Sequence, residues 1–126
     1  MAVMNLTSAN INETIENNDI VIVDFWASWC GPCMAFKPIF HKVSEKHPDI
    51  VFASCNTEEE MELAAMFQIR SIPTLMIFRE KILIFAQPGM LPEDVLEDLI
   101  GKVLALDMDE VRAEIAKQEK EQAANA

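Results

Sequence analysis

The chain has 126 residues, 51% of them apolar, which suits a single domain with one buried core. Its net charge is −11 and its pI about 4.5, which argues against electrostatic binding to nucleic acid or to an anionic membrane. Its three cysteines, Cys30, Cys33 and Cys55, are too few for a secreted disulfide framework and odd in number.

The first seven residues lack the basic and long apolar regions of a signal peptide. No apolar run approaches the ~20 residues that span a bilayer. The chain therefore reads as soluble and intracellular.

Residues 3–6 suit a short first strand. Ser8 or Asn10 can cap a helix reaching about Asn17, with Ile11 and Ile15 on one face. After the turn cluster Asn17-Asn18-Asp19, residues 20–26 form a β-branched run without polar alternation, which predicts a central strand covered on both faces. Asp24 is the charge inside it. A loop over 27–32 leads into a helix that starts at Pro32, carries Phe36, Ile39, Phe40 and Val43 at helical spacing, and ends near Lys46. Pro38 is expected to kink that helix.

Residues 50–55 read as another strand. Thr57 with Glu60 is a capping-box pattern for a helix ending near Gln68. A loop through Ile72-Pro73-Thr74 precedes a hairpin of 75–78 and 82–85. Its Arg79-Glu80-Lys81 link lacks the Gly or Asn of a tight turn, so a longer or less regular turn is expected. Gln87-Pro88-Gly89 is expected to break the second hairpin strand. Pro92 opens a helix with Val95, Leu96, Leu99, Ile100 and Val103 on one face. Asp107 with Glu110 can start a last helix carrying Met108, Val111 and Ile115, with fraying beyond Lys117. The order is β-α-β-α-β-α-β-β-α plus a C-terminal helix, an α/β chain with a mixed sheet between helices. Residues 1–106 read as the domain and 107–126 as an extension.

The stretch Trp29-Cys30-Gly31-Pro32-Cys33 carries the chemistry. Two thiols at this spacing close a disulfide or jointly hold a metal. Zinc prefers four ligands, and the histidines that could join, His41 and His47, lie well along the following helix.

The block from Asp24 to Cys33 resembles the active-site segment of thioredoxins. Pro38 falls where that family has a kinking proline, Ile72-Pro73-Thr74 resembles its cis-proline loop, and Pro88-Gly89 its substrate-side glycine turn. The likeness spans roughly residues 3–105 and implies the thioredoxin fold. Three features depart from it. Ser54 stands where bacterial members often carry a lysine close to the buried aspartate, so Asp24 is expected to lack a cationic partner. Cys55 is additional and reads as a small buried hydrophobe. The acidic extension after Leu106 lies outside the minimal fold.

The resemblance implies a protein-disulfide reductase with no bound cofactor and no metal. Its redox group would be a Cys30–Cys33 disulfide, supplied with electrons from NADPH through a thioredoxin reductase. Cys30, just before the helix, would be the nucleophile, its thiolate favoured by the helix N-terminus. Cys33 would resolve the mixed disulfide, and Asp24 would accept its proton. Trp29, Ile72, Pro73, Gly89 and Met90 would form the substrate face, with Gly31 and Pro32 as motif support. The partners implied are the reductase and disulfide-containing proteins, with no nucleic acid or membrane, for a cytoplasmic monomer. The competing readings are a thiol oxidase or isomerase, and a binding or chaperone subunit that docks through the C-terminal helix.

Overall fold

The computed structural model describes residues 2–125. Five strands and five helices follow in the expected order. They are β1 (Val3–Asn5), α1 (Ile11–Glu16), β2 (Ile20–Trp26), α2 (Gly31–Lys46), β3 (Val51–Asn56), α3 (Met61–Met66), β4 (Thr74–Arg79), β5 (Ile82–Pro88), α4 (Glu93–Leu104) and α5 (Met108–Ala124). The sheet order is β1-β3-β2-β4-β5. β3 runs parallel to both β1 and β2, and β4 runs antiparallel to both β2 and β5. The β-branched run of β2 thus occupies the middle of a mixed sheet.

Alternation along β2 divides the core between two faces. Ile20 and Ile22 pack with Phe36, Phe40 and Val43 of α2 and Leu96, Ile100 and Val103 of α4. Val21, Val23 and Phe25 pack on the other face with Ile11 of α1 and Leu63 of α3. Cys55 is a fully buried member of this second cluster. The Phe36, Phe40 and Phe52 rings pack in series, tilted and then edge-on, with centroids 5.7 and 5.3 Å apart, so truncating any one is expected to cost about 3–5 kcal/mol. The α2–α4 seam is closed at its rim, where Lys42 and Lys46 pair with Glu93 and His47 meets Glu97.

Several local expectations are corrected. Thr57 does not cap α3: its hydroxyl donates to the Trp26 carbonyl at 3.0 Å, residues 57–59 form a turn, and the helix starts at Met61. The Asn10 side chain accepts from the Thr7 N–H and donates to the Asn5 carbonyl, which ties it to the preceding loop rather than to α1. The hairpin turn is tight, with Arg79 paired to Ile82 and only Glu80 and Lys81 between them, at φ 50° and 72°. A tertiary contact replaces the missing glycine, since Glu80 N–H donates to the Asp19 carbonyl at 2.8 Å. The irregularity lies further along, where a register shift beside Ile77 and Phe78 sets a bulge in β5. β5 also continues through Pro88, which an edge strand tolerates. Finally, α5 runs unbroken to Ala124, its tail being rich in the helix formers Ala, Glu, Gln and Lys.

Candidate functional site

The C-terminal end of β2 and the N-terminal end of α2 meet across the loop that holds the motif. Cys30 is the N-cap of α2 in an extended conformation, and Pro32 sits in the first turn, where its missing N–H costs no hydrogen bond. The sulfur of Cys30 accepts from the Cys33 N–H at 3.2 Å. Cys30 and Cys33 are joined as a disulfide, with Cα atoms 5.2 Å apart. Both are buried, Cys33 slightly more so. Gly31 and Pro32, between them, are exposed.

The loop is braced from α3's side of the sheet. Glu58 accepts from both the N–H and the hydroxyl of Ser28, at 3.1 and 2.8 Å. Thr57 donates to Trp26 through backbone and hydroxyl. Glu58 therefore clamps the redox loop to the turn that precedes α3.

The second loop approaches from β4. Its Ile72–Pro73 peptide is cis, and the Ile72 carbonyl oxygen lies 3.6 Å from the Cys30 sulfur. Gly89, at φ 101°, donates its N–H to the Pro73 carbonyl at 2.8 Å, which joins the glycine turn to the proline loop. Trp29 stands out from the surface at 73% exposure. Trp29 and Ile72 line a shallow cavity of about 190 Å³ with Arg70 and Ile69. Met90 follows Gly89 and is exposed at the rim, but it does not line that cavity.

Asp24 is buried and pairs in register with Ser54 on β3 and Leu75 on β4. Its Oδ1 has no hydrogen-bond partner among the described residues. Burial raises its carboxyl from the ordinary range to about 7, with Lys37 pulling in the opposite direction. As expected, Asp24 has no ion-pair partner among the described residues. The Lys37 ammonium of α2 lies instead over the Trp26 ring, 4.4 Å from its centroid. Trp26 is two residues from Asp24 on one strand, hence on the same face, and Lys37 is one helical turn past Cys33.

Among the described residues no group of three or more His, Cys, Asp or Glu side chains could hold a metal ion. Nor, among the described residues, is any helix long and apolar enough to cross a membrane.

The family model for thioredoxin matches residues 2–102. The chain belongs to the thioredoxin family. A Streptomyces coelicolor relative, named as a candidate thioredoxin 2, is 53% identical over 114 residues, covering 90% of this chain and 85% of that protein. Thioredoxin of Porphyra purpurea is 37% identical over 107 residues, covering 83% of this chain and all of that protein. A solved mutant thioredoxin from Halobacterium salinarum superposes with a TM-score of 0.77 at 29% identity, covering 83% of this chain and 93% of that one. As a thioredoxin with its motif cysteines joined, the chain is a thiol-disulfide oxidoreductase, and the Cys30–Cys33 disulfide is its redox group. α5 lies beyond the part that the family model matches.

Proposed function

We propose that this thioredoxin is a general protein-disulfide reductase whose dithiol is regenerated by a thioredoxin reductase at the expense of NADPH, and that it works as a cytoplasmic monomer. The observation that carries the reading is the Cys30 sulfur at the N-cap of α2, accepting from the Cys33 N–H. A sulfur held against unpaired helix N–H groups is favoured as a thiolate over a thiol.

In the reduced protein the Cys30 thiolate attacks one sulfur of a substrate disulfide, and the other substrate sulfur leaves as a thiolate that takes up a proton. Cys33 loses its proton to the Asp24 carboxylate, directly or through water, and attacks the Cys30 sulfur. The bond between Cys30 and the substrate breaks, the second substrate sulfur leaves as a thiolate that takes up a proton from water or from Asp24, and the Cys30–Cys33 disulfide forms. Two electrons pass from the dithiol to the substrate. An acceptor with a proton affinity near 7 suits this step, because it is substantially ionised at neutral pH and still basic enough to take the proton.

Trp29, Ile72, Pro73, Gly89 and Met90 form the substrate face in this reading. The exposed Trp29 ring and the cavity it shares with Ile72 offer apolar contact, and the backbone beside Pro73 offers strand-like pairing to an extended peptide. Gly31 and Pro32 set the helix start that the thiolate depends on. The test is reduction of insulin disulfides coupled to NADPH consumption by an added thioredoxin reductase. Turnover by the wild type, lost in Cys30→Ser, supports the reading. An inactive wild type, or an active Cys30→Ser, overturns it.

A further inference from the structure

We propose that Met34 and Met90 are a modification site at the rim of the disulfide: hydrogen peroxide converts their thioethers to sulfoxides while Cys30 and Cys33 are joined, and the modified pair weakens the docking of substrate proteins. The inference rests on the reading of this surface as the substrate face.

The chain carries eight methionines, and burial divides the described ones. Met76 and Met108 are buried, and Met4 is half-buried. Met34, Met61, Met66 and Met90 are exposed. Met61 and Met66 belong to α3. Met34 and Met90 belong instead to the two segments that meet at the disulfide. Met34 follows Cys33 in the first turn of α2 and donates its N–H to the Cys30 carbonyl at 3.1 Å. It lies off the buried face of that helix, which Cys33, Phe36 and Phe40 form. Met90 follows Gly89, whose N–H is bonded to the Pro73 carbonyl, and the Ile72 carbonyl before that proline lies 3.6 Å from the Cys30 sulfur. Core packing requires neither side chain where it stands, since 43% of Met34 and 38% of Met90 face solvent. An exposed thioether at this place is open to an apolar partner and to an oxidant alike.

The redox state of the protein decides which sulfurs an oxidant meets. In the reduced protein the Cys30 thiolate is the strongest nucleophile at the site and reacts first. In the oxidised protein that thiolate is gone, because Cys30 and Cys33 are bonded to each other. Cys55 does not replace it. It is fully buried, and its thiol is pushed up to about 11 by burial first, then by Glu60 and Asp24. The exposed thioethers are then the reduced sulfurs that remain in reach. A thioether sulfur attacks one peroxide oxygen, the O–O bond breaks, a sulfoxide forms, and the other oxygen leaves as water. Two electrons pass from the thioether to the peroxide, and no cysteine takes part. The product is polar and chiral where the parent was apolar and flexible. On the substrate face this removes apolar contact that a docking protein would cover. The change is acquired while the protein waits to be reduced, and it is carried into the next cycle.

The test treats the disulfide form of the whole chain with hydrogen peroxide, removes the peroxide with catalase, and measures KM and kcat for insulin in the coupled assay. Peptide mass spectrometry locates the sulfoxides, and thiol titration after reduction counts the cysteines. Each variant is compared with its own untreated sample. Sulfoxide is expected at the exposed methionines and not at Met76 or Met108, with all three thiols recovered. KM should rise about three- to ten-fold at a kcat within about two-fold, the pattern of lost docking. Methionine sulfoxide reductases for the two epimers should restore it. The double variant Met34→Leu, Met90→Leu should show no rise although Met61 and Met66 are oxidised. Met61→Leu, Met66→Leu should respond as the wild type does. An unchanged KM with sulfoxide at both Met34 and Met90, or a rise that persists in Met34→Leu, Met90→Leu, overturns the inference. So does a failure of Met34 and Met90 to oxidise while Met61 and Met66 do, and so does a loss of thiols or a fall in kcat alone. An untreated wild type that does not turn over insulin overturns the reductase reading itself, and this inference with it.

Discussion

The backbone N–H of Cys33 donates to the sulfur of Cys30 at 3.2 Å, so the side chain of one motif cysteine caps the helix that carries the other. The two sulfurs are consequently not equivalent. Cys30 faces helix donors and lies beside the Ile72 carbonyl, while Cys33 sits inside the first turn and is nearly inaccessible. Cys30→Ser is expected to reduce insulin turnover to background. Cys33→Ser should retain attack but stall, leaving a covalent adduct that intact-protein mass spectrometry detects and excess dithiol releases. Equal adduct formation by both variants would contradict the asymmetry.

Asp24 contributes to stability with a sign opposite to that of a salt-bridged carboxylate. Its folded-state value of about 7 lies above the ordinary carboxyl value of 3.8, so between those values the folded state holds a proton that the unfolded state has released. Stability falls as pH rises through this window, and the penalty is complete above it. Asp24→Asn should therefore stabilise the oxidised protein at pH 8, by on the order of 3 kcal/mol. The gain should shrink steadily from pH 7 and disappear near pH 4. Urea unfolding midpoints across this range check the slope, and a gain that grows toward acid pH would contradict it.

The sheet and its order were legible because their determinants are local. The unbroken β-branched run at 20–26 could only be a central strand, and the prolines at 32 and 38 sit on a helix whose apolar spacing was plain. What escaped prediction depends on contacts distant in sequence. Thr57 had a capping-box partner three residues on, but the Trp26 carbonyl, brought near by the β2–β3 pairing, binds its hydroxyl instead. The turn at Glu80 and Lys81 is closed by Asp19 and flanked by Arg112. At the site, the motif announced the cysteines and the buried aspartate, but not the Lys37 ammonium that α2 sets over the Trp26 ring. Periodicity within a single element does not reveal such a meeting.

Lys81 holds a left-handed backbone conformation, φ 72°, at the second position of a two-residue hairpin turn. A side chain there costs about 1 kcal/mol that glycine avoids, partly offset by glycine's greater freedom in the unfolded chain. Lys81 makes no side-chain hydrogen bond or ion pair among the described residues, so little is lost with it. Lys81→Gly should raise stability by about 0.5 kcal/mol, visible as a higher urea midpoint at unchanged slope. Glu80→Gly is the contrasting case. It relieves a similar conformation, φ 50°, but removes the contact with Arg112 of α5, and should give a smaller gain or a loss.

α5 touches the rest of the molecule at the end of the sheet remote from the disulfide. Arg112 meets Glu80, whose N–H is bonded to Asp19 just before β2, whereas Cys30 follows the other end of that seven-residue strand, roughly 20 Å away. The helix is anchored by Met108, which is buried, and by the half-buried Val111 and Ile115. Nearby, the Arg79 guanidinium donates to the carbonyls of Val103 and Leu106 at 2.7 and 3.1 Å and fixes the link between α4 and α5. If residues 107–126 are an appendage to the redox domain, deleting them should cost about 2–3 kcal/mol of stability, chiefly the burial of Met108 and its neighbours. Insulin reduction should stay within about two-fold of the full chain, since nothing in α5 approaches the disulfide. A large loss of turnover at intact stability would favour the competing reading, in which a partner docks on this helix. Met108→Ala separates the two effects, because it weakens the anchor while leaving the exposed face of α5 unchanged. It should reproduce most of the stability loss, by about 2 kcal/mol, with no change in turnover.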